Sequence, residues 1–213
     1  MDKDIIIDEK FINKLKKGHE RSFHLLYEYI SPTMRMVCRR YVKKESESED
    51  VFQEGFLKIY KNIGTLKSPQ SFMGWAKRIF INTSIDYLNL NKKGMIDYVD
   101  EFSDSQFFAE IDEQPDNAFN SDLECDISDI DYSIIRKVDF SQEEMLEVLE
   151  LIPEHFRIVF QLYSIDDFKH KEIAKMLAIS ESTSKTRLLR ARGLLKQKLG
   201  RLALQKINDG RTR

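Results

Sequence analysis

The stretch from residue 97 to residue 139 limits what this chain can fold into more than any other. It holds fourteen Asp or Glu against Arg136 and Lys137, a balance of −12 in a chain whose total is −2. The remainder therefore carries +10. A segment this acidic, with fading apolar periodicity, cannot bury enough surface to offset its own ordering entropy. The 213 residues are thus divided into two small globular parts rather than one large domain. We read residues 1–95 as an N-terminal domain, 96–139 as a flexible acidic linker and 140–205 as a C-terminal domain. Phe102, Phe107, Phe108 and Phe119 inside the acidic stretch allow parts of it to dock on a neighbour.

Both flanks read as helical. Glycine and proline are scarce, at eight and four, and no run alternates as a half-buried strand does. Phe11, Ile12, Leu15, Phe23, Leu26, Tyr27 and Ile30 recur at threes and fours. Pro32 suits the first turn of a following helix. Ser46 and Glu49 have the spacing of a capping box, which predicts a helix start there. Pro69 biases Ser68 away from helix, so "LKSPQSF" is a break before "FMGWAKRIFINTSIDYLNL". Beyond the acidic stretch, Ser141 and Glu144 repeat the capping-box spacing, and Pro153 suits the first turn of the next helix. The expected fold is all-α: two small helical domains joined by an acidic linker, the C-terminal one a helix-turn-helix.

That last assignment rests on residues 172 to 199. A short helix carries Ile173, Ala174 and Leu177 inward, Ala178–Ile179–Ser180 make a turn, and the Ser180 hydroxyl caps a long helix. At about 100° per residue, Ser184, Leu188, Ala191, Leu195 and Leu199 share an inward stripe. The opposite face presents Ser182, Lys185, Thr186, Leu189 and Arg190, flanked by Arg187 and Arg192. A DNA major groove admits one α-helix, whose N-terminal residues reach base edges. Small hydroxyls let the backbone approach, and Lys and Arg reach guanine acceptors or phosphates. A merely solvated basic helix face is the competing reading, but it does not explain the paired helix, the turn and the hydroxyl-rich start together.

The stretch "LIPEHFRIVFQLYSIDDFKHKEIAKMLAISESTSKTRLLRARGLLKQKL" resembles the minus-thirty-five-reading domain of bacterial RNA polymerase sigma factors. Response-regulator output domains share a related helix pair. The N-terminal segments "FHLLYEYISPTMRMVCRRYV", "EDVFQEGFLKIYKNI" and "FMGWAKRIFINTSIDYLN" resemble the minus-ten-reading domain of the same family. The match is to its small two-domain members, the extracytoplasmic-function group. The resemblance implies three partners: core RNA polymerase, promoter DNA both double-stranded and melted, and an anti-sigma factor.

It also implies roles for particular residues. Asp50, Gln53, Glu54, Phe56, Leu57 and Tyr60 lie on the helix that docks on the polymerase clamp in this family; the residues alone equally fit a solvated face over a core of Val51, Phe52, Phe56 and Ile59. Phe72 and Trp75 can stack on unpaired bases or pack in the core. Lys77 and Arg78 suit DNA backbone contact, and Asn82 can bond a base or its own helix. Lys61, Asn62 and the segment from Leu66 to Ser71 resemble the loop that receives a flipped base. In the C-terminal domain, Ser182, Thr183, Lys185, Thr186, Arg187 and Arg190 match the positions that read the minus-thirty-five element.

Departures from the family pattern are visible. Asn89 stands where arginine is usual. Asp167 and Ala178 stand at glycine positions, and an alanine at positive φ there costs about 1 kcal/mol. Lys169 stands at a capping position, so Asp166 or Asp167 is expected to cap instead. Ser184 is polar on the inward stripe.

Enzymatic readings find no footing. His19, His24, His155 and His170 have no ligand spacing, Cys38 and Cys125 form no metal-type pair, and no phosphate loop or nucleophile motif is present. No metal and no cofactor is expected, and no catalytic role. No secretory signal and no run of about eighteen apolar residues is found, so membrane insertion is not expected and a cytoplasmic location is. The alternative function is a stand-alone helix-turn-helix regulator.

Overall fold

The computed structural model describes residues 5–92 and 132–211, and all regular structure among them is helical. They belong to two compact units that divide after Ile96. The expected linker residues up to 131 lie outside the described residues.

In the N-terminal unit, α1 (Glu9–Lys16) starts where the Asp8 carboxylate accepts the Phe11 N–H at 2.7 Å. Gly18, at φ +74°, turns the chain into α2 (Glu20–Tyr41). Here an expectation fails: Pro32 does not open a helix but sits inside α2. Pro32 and Glu28 are both exposed, so the Glu28 carbonyl that loses its partner to the proline ring lies on the solvent side. The preceding Ser31, buried, donates its hydroxyl to the Tyr27 carbonyl and helps hold the helix together. The next helix, α3 (Glu45–Asn62), follows after a short turn. The Ser46 capping box is also not formed. Lys44 holds the N-cap position with no side-chain cap, and Ser46 lies within the helix. The carboxylate that box needs is engaged elsewhere, because Glu49 takes the Arg35 guanidinium in two 2.8 Å hydrogen bonds. The break at Ser68 is present, with extended backbone, and α4 (Phe72–Lys92) follows a single 3₁₀ turn over Pro69–Ser71.

The core of this unit is aromatic. Phe52 of α3 stacks on Phe80 of α4 at 5.4 Å and 7°, and both are fully buried. The two helices approach closely at Gly55, where a Cβ would stand 2.4 Å from Phe80 Cδ1. Gly55→Ala is therefore expected to destabilise the protein by about 1–3 kcal/mol through overpacking, despite alanine's better helix propensity. A urea midpoint that rises instead would show that Phe80 relaxes freely.

The C-terminal unit begins earlier than the sequence suggests. Residues Tyr132–Lys137, read as the end of the flexible linker, form a 3₁₀ helix packed along the last helix, with Ile134 and Ile135 half-buried. Their β-branched apolar side chains give this piece surface to bury that the preceding acids lack. Next, α5 (Gln142–Glu150) carries the Ser141–Glu144 capping box in full: the Ser141 N–H donates to Glu144 at 2.8 Å, and the Glu144 N–H to the Ser141 hydroxyl at 3.2 Å. Pro153 leads α6 (Glu154–Phe160), which continues as a π-helical turn over Gln161–Ile165. The helix pair is α7 (His170–Leu177) and α8 (Glu181–Arg211). Val148, Ile152, Phe156, Ala191 and Leu195 form the core. At its far end α8 returns to the start of α5, where the Lys206 ammonium bonds Glu144 at 2.7 Å and the Asp139 carbonyl at 2.8 Å. This ammonium holds the Glu144 carboxyl below the usual carboxylate range.

Candidate nucleic-acid interface

On α3, heptad-like spacing turns one polar stripe outward. Asp50, Gln53, Glu54, Leu57 and Tyr60 are exposed, whereas Val51, Phe52 and Ile59 face the core. Phe56 is half-buried and meets the Tyr27 ring edge-on at 5.1 Å, so it supports the stripe more than it projects from it. The Tyr60 ring rests on Phe23 at 4.6 Å while half of the residue stays open to solvent. Lys58 pairs with Glu54 at 3.0 Å and with Asp86 of α4 at 3.5 Å. The stripe is thus acidic and apolar, and it is backed by rigid packing.

In the last turn of α3, Lys61 and Asn62 are exposed. The Asn62 amide donates to the Lys58 carbonyl at 2.8 Å, closing the helix end, and the Thr65 hydroxyl donates to the Asn62 carbonyl at 2.8 Å. Leu66 anchors the loop in the core. On α4, Trp75, Arg78, Ile79 and Asn82 fall on one outward stripe at threes and fours, with Arg78 and Asn82 exposed and Trp75 and Ile79 half-buried. Lys77 is half-buried beside them. Phe72 does not join this stripe. It is fully buried, with no ring face free for a base, and touches Trp75 from below at 6.0 Å. The base-stacking reading of Phe72 is therefore corrected to a core role; its spacing from Trp75 gave it the right helix but the wrong depth.

In the C-terminal unit the turn between α7 and α8 forms as read. Ala178 sits at φ 54°, and the Ser180 hydroxyl accepts the Thr183 N–H at 2.9 Å. Asp167 also takes positive φ, at 57°, on the approach to α7. The expected Asp cap is not there: Lys169 holds the N-cap position, and the Glu172 carboxylate accepts its backbone N–H at 2.9 Å. On α8, Ser182, Lys185 and Leu189 are exposed; Thr183, Thr186, Arg187 and Arg190 are half-buried at its margins. Lys185 is steadied by Glu181 at 3.3 Å, and the Arg190 guanidinium lies 5.8 Å over the Phe156 ring. The inward stripe forms, with Ser184, Leu188, Ala191 and Leu195 buried and Leu199 half-buried at its end.

Sequence reasoning missed one contact. Ser184, polar and fully buried, is bonded to His170 Nδ1 at 2.9 Å. A serine on an apolar stripe, fourteen residues beyond a histidine with no assigned role, was the available signal.

Among the described residues no helix is long and apolar enough to cross a membrane, and no group of three His, Cys, Asp or Glu could hold a metal ion. The family model "Sigma-70 region 2" matches residues 26–93, and "Sigma-70, region 4" matches residues 142–195. The chain is similar to the ECF RNA polymerase sigma factor SigW of Bacillus subtilis, 28% identical over 191 residues that cover 90% of the chain and 96% of the relative. It is also similar to the RNA polymerase sigma-H factor of Pseudomonas aeruginosa, 25% identical over 87% of the chain and 90% of the relative. A solved structure, the sigma factor RpoE in complex with the anti-sigma factor NepR from Bartonella quintana, is 16% identical with a TM-score of 0.45, over 84% of the chain and 97% of its own.

Proposed function

The chain belongs to the sigma-70 family, in its extracytoplasmic-function group, and we infer that it binds core RNA polymerase and directs it to promoters to initiate transcription. The observation that carries this is the presence of both family regions, in order, within one chain. A stand-alone helix-turn-helix regulator would have no use for region 2. Sigma factors act as non-catalytic initiation factors. The place of action is with the polymerase, in the cytoplasm.

The outward stripe of α3 supports a polymerase-docking role for Asp50, Gln53, Glu54, Leu57 and Tyr60. Acids around exposed leucine and tyrosine suit a basic, partly apolar partner surface, where charge complementarity speeds association and fixes orientation. The α4 stripe of Trp75, Arg78 and Asn82, with Lys77 beside it and the exposed Lys61 and Asn62 at the end of α3, supports contact with the melted minus-ten element. The α8 face of Ser182, Thr183, Lys185, Thr186, Arg187 and Arg190 supports reading of the minus-thirty-five element in the major groove.

Run-off transcription tests the whole reading. Purified chain plus core polymerase is expected to initiate from a subset of a randomised promoter pool; initiation from none of it would end the reading. Asp50→Lys is expected to lower affinity for core polymerase about tenfold by like-charge contact, with an unchanged thermal midpoint because Asp50 is exposed. Undiminished co-elution with core enzyme would remove α3 from the docking surface.

A further inference from the structure

His170 opens α7, and its ring is held by two other elements. Nδ1 meets the Ser184 hydroxyl of α8 at 2.9 Å. The ring stacks on Tyr163 of the π-helical turn at 4.4 Å and 21°. The Tyr163 ring is in turn covered by the Arg192 guanidinium of α8 at 5.8 Å. One imidazole thus joins the π turn, the first helix of the pair and the long helix. The charged groups that face it from α8 are Lys185, Glu181 and Arg192, and the Tyr163 phenol faces it from the turn. Burial first, then Lys185 and Arg192, disfavour its protonation, while Glu181 pulls the other way.

Resting on the reading of α8 as the DNA-contacting helix, we propose that His170 positions α8 against α7 through Ser184, and that phosphate engaged by Lys185 and Arg192 draws a proton from solvent onto its ring. A phosphate beside these cations offsets the field that keeps the imidazole neutral. The protonated ring still fits its site, because Nδ1–H then donates to the Ser184 oxygen and the Tyr163 face favours a cation. DNA binding and proton uptake are therefore linked, and the link is reciprocal. Above the ring's titration range in the complex, the proton is absent from free and bound protein alike. As pH falls between the bound and free titration midpoints, the complex takes up the proton first, so affinity for DNA rises.

The test uses the full-length protein, a short mixed-sequence duplex at low salt, and NMR titration of the histidine rings, with His170 assigned by its loss in His170→Asn. Saturating duplex is expected to raise the His170 titration midpoint by about half a pH unit, and wild-type affinity to increase up to about twofold between pH 7.5 and 6. His170→Asn, which places an amide near the Nδ1 position, is expected to keep the affinity seen at high pH and to lose this increment. His170→Ala is expected to weaken binding at every pH. A duplex that binds without moving the ring titration, or a His170→Asn variant with the wild-type pH slope, overturns the proton linkage. Full affinity in His170→Ala overturns the positioning role. A duplex that does not bind at all overturns the reading of α8 itself.

Discussion

Phe52→Ala is expected to lower the unfolding free energy of the N-terminal unit by about 3–5 kcal/mol. Phe52 is fully buried and is contacted on several sides: Phe80 stacks on it at 5.4 Å, the Tyr27 ring meets it edge-on at 5.6 Å, and the Arg35 guanidinium lies 4.6 Å from its centroid. The cavity left behind cannot collapse easily. Phe80 is already pressed against the Gly55 backbone, and Arg35 is fixed by its paired hydrogen bonds to Glu49. The Arg35–Glu49 pair adds little of its own, since both side chains keep about a third of their surface in water. The chain's one tryptophan, Trp75, lies in this unit and touches Phe72, so its fluorescence reports the N-terminal transition alone. The urea midpoint by fluorescence is expected to fall sharply, while far-UV circular dichroism keeps the later transition of the C-terminal unit. An unshifted fluorescence midpoint would mean that the Phe52–Phe80 stack does not hold α3 to α4.

Local chemistry explains which parts of this fold are legible in the sequence. The Ser141–Glu144 box can be read because the carboxylate reaches its own N-cap and its second partner, Lys206, leaves that bond intact. The identical spacing at Ser46 and Glu49 misleads because a residue fourteen positions earlier, Arg35, takes the carboxylate; no local pattern encodes that pairing. Pro32 misleads for a related reason: whether a proline starts a helix or rides inside one depends on whether the carbonyl it frees faces water, which is a tertiary fact. Positive φ at Ala178 follows from the glycine position it occupies in the resemblance, whereas the inward stripe of α8 follows from spacing alone. Depth within a face does not, so Phe72 and Trp75 share a helix turn yet only one of them reaches the surface. The outward stripe of α3 and the α8 face are visible as patterns, whereas the His170–Ser184 bond joins two helices and needs coordinates.

Lys185→Ala and Arg190→Ala are expected to separate two kinds of DNA contact on α8. Lys185 is exposed, makes an exposed ion pair with Glu181, and can leave that pair for a base or a phosphate at little cost. Arg190 is half-buried over Phe156, so its reach is set by the core of its own domain and its guanidinium is presented in a fixed direction. A fixed, planar donor suits bidentate contact with a guanine edge, and losing it is expected to cost about 1–3 kcal/mol and to relax preference at one base position. A mobile ammonium suits phosphate, and losing it is expected to weaken all promoters alike and to flatten the salt dependence by roughly one counterion. Holoenzyme binding to promoters selected from a randomised pool, measured across a salt series, reads both effects. If Arg190→Ala leaves every base preference in place while Lys185→Ala alters one, the two roles are exchanged. If neither variant changes affinity or preference, α8 does not present this face to DNA.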